Sequence, residues 1–258
     1  MMKEQLEHIA ETVAENVAAL PAGFAGDEEV GIGASGAATS KIDKFAEDII
    51  IDLVKKERMG FNILSEEAGL VDLGGDKTLV VDPVDGTANF HAKIPLFSIS
   101  LAVGDSRMSD VTHGLVRNLV NRDIYYAEKG KGAWLNGHRI NTKRFQRSSS
   151  LFLAFVGNRT APATWKVVEF PRRIRSLGCA SLEMCFVAGG MADGFYFNCE
   201  EYDKRMRIVD IAASALILRE AGGELYDLNG KVLDMEFSLG DRANFLALGD
   251  RSIKEMVI

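Results

Sequence analysis

The chain has 258 residues, 47% hydrophobic and 26% charged, a balance that supports a sizeable buried core and excludes a disordered tail. Thirty Lys and Arg against 37 Asp and Glu leave a net charge of −7, which argues against broad electrostatic binding to nucleic acid or to an anionic membrane. An anionic substrate remains compatible with that charge if a metal or a local basic patch reverses the field where it binds.

Glutamates run through the opening segment MMKEQLEHIAETVAENVAAL, so it does not read as a signal peptide. The longest apolar runs, such as Ile211–Leu218, fall short of the ~18 residues a membrane span requires. Three cysteines (Cys179, Cys185 and Cys199) without a CxxC pair argue against a disulfide framework or a zinc site. A soluble cytoplasmic protein is expected, with no nucleic acid or membrane partner.

Leu6, Ile9, Val13, Val17 and Leu20 recur at steps of three and four and predict a first amphipathic helix ending before Pro21. The glycine-rich segment Gly23–Gly36 reads as a flexible loop. Thr39 or Ser40 then caps a second helix that places Ile42, Phe45, Ile49 and Leu53 on one face. Strands are predicted at Phe61–Leu64, Thr78–Val81, Ser98–Val103, Val111–Val116 and Asp123–Ala127, followed by a hairpin over Ala133–Ile140 around Asn136-Gly137. The second half opens with an apolar run at Leu151–Val156. A helix over about Cys179–Ala188, a strand at Gly194–Phe197 and a helix over Ile208–Ala221 follow. A hairpin (Glu224–Val232) and a strand (Asn244–Leu248) come last. This order predicts an α/β (α+β layered) sandwich with two subdomains, 1–148 and 149–258, forming one compact unit.

Gly31-Ile32-Gly33-Ala34-Ser35-Gly36 spells the dinucleotide pattern GxGxxG. That motif needs a buried strand before it and a helix opening within it, with an acidic residue ~20 positions on at a strand end. Here Gly26-Asp27-Glu28-Glu29-Val30 precedes it, and Asp52 lies inside the second helix, so the nucleotide reading is set aside.

The informative stretch is Leu79 to Phe90. An apolar strand runs into Asp82, Pro83 removes a donor and turns the chain, and Asp85 follows three residues later, so two carboxylates and the Val84 carbonyl can address one point. Gly86 and Thr87 sit where a helix could begin, with N–H groups suited to a phosphate oxygen. A lone Asp-Pro or Asp-Gly pair is a common turn former, and what adds weight is the company. Ser65-Glu66-Glu67 ends another strand, Asp210 opens an apolar helix, and Asp43 follows the second helix cap. Clustered carboxylates repel, and hard divalent cations such as Mg²⁺ resolve that conflict. The absence of neighbouring histidines argues against zinc.

With Ser65-Glu66-Glu67, Asp82–Phe90, and Asp210 followed by Ala212-Ala213 and Glu220-Ala221-Gly222-Gly223, the chain resembles the inositol monophosphatase family nearly end to end. This superfamily of Mg²⁺-dependent, lithium-sensitive phosphatases also holds fructose-1,6-bisphosphatases. The resemblance implies an αβαβα sandwich of the sugar phosphatase type, a homodimer, and two or three Mg²⁺ ions, with Mn²⁺ as a substitute. It implies metal ligation by Glu66, Asp82, the Val84 carbonyl, Asp85 and Asp210, with Glu67 auxiliary. Asp43 and Thr87 would orient the attacking water, and the N–H groups of Gly86 and Thr87 would hold the phosphate. The second threonine of the family pattern is Ala88, and the tryptophan many members carry before the last aspartate is Val209. The stretch Gly33–Asp43 is similar to the compact loop of archaeal dual-activity members, with Ala38 where those loops commonly have a proline.

The expected activity is metal-assisted hydrolysis of a phosphomonoester, with fructose 1,6-bisphosphate and inositol 1-phosphate foremost and a role in gluconeogenesis and carbohydrate metabolism. Two basic clusters, Lys204-Arg205-Met206-Arg207 and Arg172-Arg173-Ile174-Arg175, are expected along the substrate pocket. Arg205 or Arg207 is assigned to a distal phosphate, Asp203 to a sugar hydroxyl, and Ser176 and Asn158 to further contacts. A nucleotidase acting on 3′-phosphoadenosine 5′-phosphate is the alternative within the class. A non-catalytic sugar-phosphate-binding or regulatory protein is the alternative outside it, although such a relative would be expected to have lost an acidic ligand. Cys179 and Cys185 read as buried and inert, and His91, one step after the main motif, reads as a surface residue, with a place near the pocket as the alternative.

Overall fold

The computed structural model describes every residue except Ala22, Ser35 and Ala37. In chain order the elements begin with α1 (Met2–Ala18), β1 (Glu29–Ile32), β2 (Ala38–Ser40), α2 (Lys41–Glu57), β3 (Phe61–Ser65), β4 (Gly69–Val71), β5 (Lys77–Asp85) and α3 (Thr87–His91). Strands β6 (Ser98–Gly104), β7 (His113–Asn118), β8 (Ile124–Glu128), β9 (Gly132–Leu135) and β10 (His138–Ile140) complete the first half. The second half comprises β11 (Leu151–Ala154), α4 (Thr164–Val168), β12 (Arg173–Arg175), α5 (Ala180–Ala188), β13 (Gly194–Phe197), α6 (Ile208–Glu220), β14 (Glu224–Asp227), β15 (Phe245–Leu248) and α7 (Lys254–Val257).

An eight-stranded sheet runs β10-β9-β8-β7-β6-β5-β3-β4, antiparallel except for the parallel pair β3–β5. A five-stranded sheet runs β12-β11-β13-β15-β14, with β11 parallel to both its neighbours. The alternation of side chains along each strand assigns the layers. In β5, Leu79 and Val81 join a core with α1 and α2, while Val80 faces the opposite core with α5 and α6. In β15, Phe245 and Ala247 face α5 and α6, while Leu246 and Leu248 join an outer core with Val167 of α4 and Ile253 beside α7. The order is therefore α1α2, large sheet, α5α6, small sheet, outer helices: the αβαβα sandwich. As the middle layer, α5 and α6 are buried nearly all round, which is why their sequences carry no polar face. No helix among the described residues is long and apolar enough to cross a membrane.

Three expectations change. The segment read as a flexible loop contains an antiparallel hairpin, β1 with β2, whose first strand is wholly exposed and so shows no apolar alternation. Ser35 and Ala37, within the glycine motif and the archaeal-like stretch, lie outside the described residues. Pro83 does not end its strand: β5 continues through Asp85 across an irregularity in register. The Glu224–Val232 hairpin reduces to one bridge, Tyr226 with Val232, because β14 pairs instead with β15. The turn at Asn136 (φ 51°) and Gly137 (φ 78°) takes the left-handed conformations that the Asn-Gly pair favours.

Candidate active site

The register between β5 and β6 explains how Asp82 and Asp85 come to share a face. Residues three apart on a regular strand point to opposite sides. Here Asp82 pairs with Ser100 and Asp85 with Ser98, so three residues of β5 span two of β6. This bulge falls at Pro83-Val84, where the missing proline N–H leaves no ladder bond to break. It turns both carboxylates toward the α5–α6 layer. Asp82 Oδ1 accepts the Val84 N–H at 3.2 Å, which stiffens the corner.

Asp85 meets the start of α5. Its Oδ2 accepts both the N–H and the hydroxyl of Ser181 at 2.6 Å, and Cys179 Sγ lies 3.2 Å away. Beyond the bulge, Gly86 takes φ 91° and opens the short helix α3. The Thr87 hydroxyl lies 3.0 Å from Asp43 Oδ1 and 2.9 Å from the Val84 carbonyl. Asp43 stands in the first turn of α2, where Ser40 caps the helix and donates its hydroxyl to Asp43 Oδ2 at 2.6 Å. Asn89 Nδ2 donates to the Leu96 and Leu177 carbonyls, tying α3 to the segment before α5.

Glu66 and Glu67 occupy the β3–β4 turn. Glu47 of α2 holds that turn by accepting the Ala68 N–H at 2.9 Å. Glu67 accepts the Thr39 hydroxyl, and its main-chain carbonyl accepts the Ala34 N–H at 2.8 Å, fastening the β1–β2 hairpin to the turn. A Cβ at Gly33 would collide with the Glu67 carboxylate, so this glycine serves close packing rather than a nucleotide. Asp210 lies in the first turn of α6, where its Oδ2 accepts the Arg207 N–H at 2.7 Å and the helix N-terminus favours negative charge. The Arg207 guanidinium pairs with Glu66 and lies 3.7 Å from Asp210.

All six carboxylates (Asp43, Glu66, Glu67, Asp82, Asp85 and Asp210) line one cleft of about 1150 Å³ with Val84, Gly86, Thr87, Asp203, Arg205 and Arg207. Burial raises the pKa of Asp82 well above the usual carboxylate range, and its four acidic neighbours push it further. Burial raises Glu66 to about 8 against the pull of Arg207, with Asp210 and Glu67 adding to the rise. Asp43, Glu67 and Asp85 are raised for the same first reason, and in Asp85 the Ser181 donors oppose the rise. For Arg207, burial works against the charge, and Asp210, Glu66 and Asp82 outweigh it.

The cleft floor thus gathers six carboxyl groups whose ionisation burial opposes, with Arg207 as the cation paired among them, and its donors are hard oxygens, the set that suits Mg²⁺. No three acidic, histidine or cysteine side chains among the described residues are already drawn together as a ready ligand shell. The donor set fits the ion.

Several substrate-pocket expectations are corrected. Ser176 and Asn158 are not among the residues lining the cleft: Ser176 follows the edge strand β12, and Asn158 follows its neighbour β11. The Arg172–Arg175 cluster is likewise elsewhere, because β12 is that sheet's edge strand, and Arg172 instead borders a shallow hollow with Arg147 and Phe170. Arg207 is engaged by Glu66 and Asp210 rather than standing free at the rim. Arg205 does line the cleft, donating to the Cys199 and Glu200 carbonyls and lying over the Tyr202 ring. His91, expected at the surface, lines the cleft while remaining exposed. Lys204 lines it with the basic cluster expected there, and Tyr202 and Arg242 line it without having been singled out in sequence. Lys204 lay within a recognised basic run, whereas Arg242 had no local signal. Cys179, Cys185 and Cys199 are all buried free thiols.

The fold and this acidic cleft define a phosphoric monoester hydrolase. A model described as the inositol monophosphatase family matches residues 2–258, and the chain belongs to that family. It is 35% identical over 231 residues to the fructose-1,6-bisphosphatase/inositol-1-monophosphatase of Thermococcus kodakarensis, covering 90% of this chain and 86% of that protein. It is 33% identical over 279 residues to a bifunctional NADP phosphatase/NAD kinase of Methanococcus maripaludis, covering 99% of this chain and 48% of that longer protein. A solved inositol monophosphatase–fructose 1,6-bisphosphatase superposes with a TM-score of 0.86 at 29% identity, covering 100% of this chain and 98% of the other.

Proposed function

We propose that the chain hydrolyses phosphomonoesters of small sugars and polyols, fructose 1,6-bisphosphate and inositol 1-phosphate foremost, with Mg²⁺ held by Glu66, Asp82, the Val84 carbonyl, Asp85 and Asp210. The observation that carries this is the bulge in β5, which brings Asp82 and Asp85 to one face opposite the first turn of α6. When bound, Mg²⁺ supplies the positive charge that lowers the pKa of a nucleophilic water and neutralises phosphoryl oxygens. The chain's own residues do the rest. Asp43 and Thr87 form a hydrogen-bonded pair that holds the water's proton toward Asp43 Oδ1 and fixes its line of attack. The N–H groups of Gly86 and Thr87, at the start of α3, face a phosphate oxygen. Asp203, Lys204 and Arg205 on the opposite wall meet the sugar and a second phosphate. Arg207 serves the acidic floor in this reading. The same reading carries the homodimer, the cytoplasmic location and the place in carbohydrate metabolism that the family resemblance implies.

A nucleotide phosphate is the second reading. A cleft of about 1150 Å³ exceeds what a hexose bisphosphate fills, and Tyr202, 52% exposed, offers a ring at its wall. The likeness to a relative named as a bifunctional NADP phosphatase/NAD kinase supports the same reading. Phosphate release from fructose 1,6-bisphosphate, fructose 6-phosphate, inositol 1-phosphate, NADP and 3′-phosphoadenosine 5′-phosphate, with Mg²⁺ and with EDTA, separates the readings. The sugar-phosphate reading expects the hexose bisphosphate to lead and both Asp85→Asn and Asp210→Asn to lose turnover by about 10³-fold or more. Near-normal release by either variant would overturn the ligand assignment.

A further inference from the structure

Behind Asp85 lies a group of buried polar side chains that the hydrolytic roles above leave unused. Ser98, Cys179 and Ser181 are each fully buried. The register pairs Asp85 with Ser98, whose hydroxyl lies 2.8 Å from Ser181 Oγ and 3.2 Å from Cys179 Sγ. Ser181 Oγ lies in turn 2.6 Å from Asp85 Oδ2. As an ionised carboxylate only accepts, the Ser181 hydroxyl donates to Asp85 and has a lone pair left for the Ser98 hydroxyl. The result is a directed relay from β6 through the first turn of α5 to a side chain at the end of β5. The Ser181 N–H adds a second bond to the same oxygen at 2.6 Å, whereas Oδ1 has a longer contact, 3.3 Å, with the Ala180 N–H. One oxygen is held firmly and the other loosely. Glu183 steadies the donor side by accepting the N–H groups of Leu177, Gly178 and Cys179, which fixes the chain just before α5.

We infer that Ser181, backed by Ser98, is a positioning residue: it pins Asp85 Oδ2 inward and so presents Oδ1 to a divalent cation. The inference rests on Asp85 being a cation ligand, as proposed above. Hydrogen-bond partners of a ligating carboxylate set its orientation before the ion arrives, and removing one typically weakens metal binding by about 10–100-fold. The Ser98 hydroxyl reaches the Asp85 carboxylate by the short bonds through Ser181 Oγ and by a longer thiol route through Cys179 Sγ, 3.2 Å from each, so its effect passes chiefly through the Ser181 hydroxyl and is largely lost when that hydroxyl is gone.

The test is Mn²⁺ binding to the whole protein without substrate, followed by electron paramagnetic resonance, with thermal unfolding recorded in parallel. Ser181→Ala is expected to raise the Mn²⁺ dissociation constant about tenfold, Ser98→Ala by less, and the double variant no more than Ser181→Ala alone. Ser214→Ala is the control, because it deletes an equally buried hydroxyl that donates to the Ile211 carbonyl. The inference is overturned if Ser181→Ala binds Mn²⁺ no more weakly than Ser214→Ala, or if the two relay variants are additive. If Ser181→Ala does not fold, Ser98→Ala decides alone, and wild-type affinity there refutes the relay. Asp85→Asn separates the two levels: unchanged Mn²⁺ binding in that variant defeats the metal assignment itself, whereas its loss beside a silent Ser181→Ala defeats only the positioning role.

Discussion

Arg207 offers the sharpest test of how the acidic cleft is held together. Its side chain is only 18% exposed, pairs with Glu66 and lies 3.7 Å from Asp210. At an effective dielectric of ~20, an attraction at that distance is worth about 4 kcal/mol before desolvation is counted. Removing one partner of such a pair leaves uncompensated charge and typically destabilises by about 3–5 kcal/mol. Arg207→Met keeps much of the apolar stem and deletes the charge. At about 2–4 °C per kcal/mol for a protein of this size, the melting temperature in EDTA is expected to fall by about 10 °C. Saturating Mg²⁺ replaces the missing positive charge, so the deficit should shrink to less than half. Differential scanning calorimetry with and without the ion reads both numbers. An equal fall in the two conditions would refute the idea that this guanidinium balances the cation-binding carboxylates. A selective loss of activity on fructose 1,6-bisphosphate relative to fructose 6-phosphate would return Arg207 to the role of distal phosphate reader.

Three further outcomes follow from the same geometry. Glu66, raised by burial to about 8, binds more protons folded than unfolded from its ordinary value of 4.5 upward. In EDTA, stability should therefore fall as pH rises from ~5 to ~8, and denaturant midpoints that rise instead would contradict the burial cost assigned here. Thr87→Ala removes the hydroxyl between Asp43 and the Val84 carbonyl and is expected to lower kcat about 10²-fold, with Mn²⁺ affinity kept within about twofold. An unchanged kcat would remove Thr87 from the water-orienting pair. Gly86→Ala places a Cβ at φ 91°, 3.1 Å from the Leu96 carbonyl and 3.2 Å from Cys179 Cβ. A loss of about 2 kcal/mol is expected by chemical denaturation, and wild-type stability would show that this turn tolerates a side chain.

The sequence disclosed elements wherever burial imposes a period. Leu79 and Val81 against Val80 mark β5 as a strand covered on both faces, and the unbroken apolar run of Ile211–Leu218 marks α6 as a helix within a layer. Short elements without such a demand were silent. Strand β1 is exposed throughout, and β12 offers only Ile174 inward between the exposed Arg173 and Arg175, an alternation too short to read. The acidic residues of the cleft were legible for a related reason, since Asp82, Val84, Asp85, Gly86 and Thr87 sit within one turn of chain. Their partners were not. Ser181 joins Asp85 across 96 residues and Asn89 joins Leu177 across 88, whereas the Asp43–Thr87 pair, 44 apart, came only through the family resemblance. Such pairings depend on where α5 and α2 settle against the large sheet, which no local spacing encodes.

That distinction explains why the basic side chains were harder to place than the acidic ones. A carboxylate in this cleft has few places to be, because burial without donors or a cation would protonate it. The chain supplies those donors at fixed points: the first turn of α6 for Asp210, Ser181 at the head of α5 for Asp85, and Ser40 and Thr87 for Asp43. An arginine has a long stem and can reach either the acidic floor or a substrate at the rim. Position in sequence left both open for Arg205 and Arg207, two residues apart. The structure separates them by direction: Arg205 turns to the carbonyls of Cys199 and Glu200, while Arg207 turns inward to Glu66 and Asp210. Arg207 is thus the guanidinium that shares the acidic floor with an incoming cation, so metal affinity should depend on it as well as on the carboxylates.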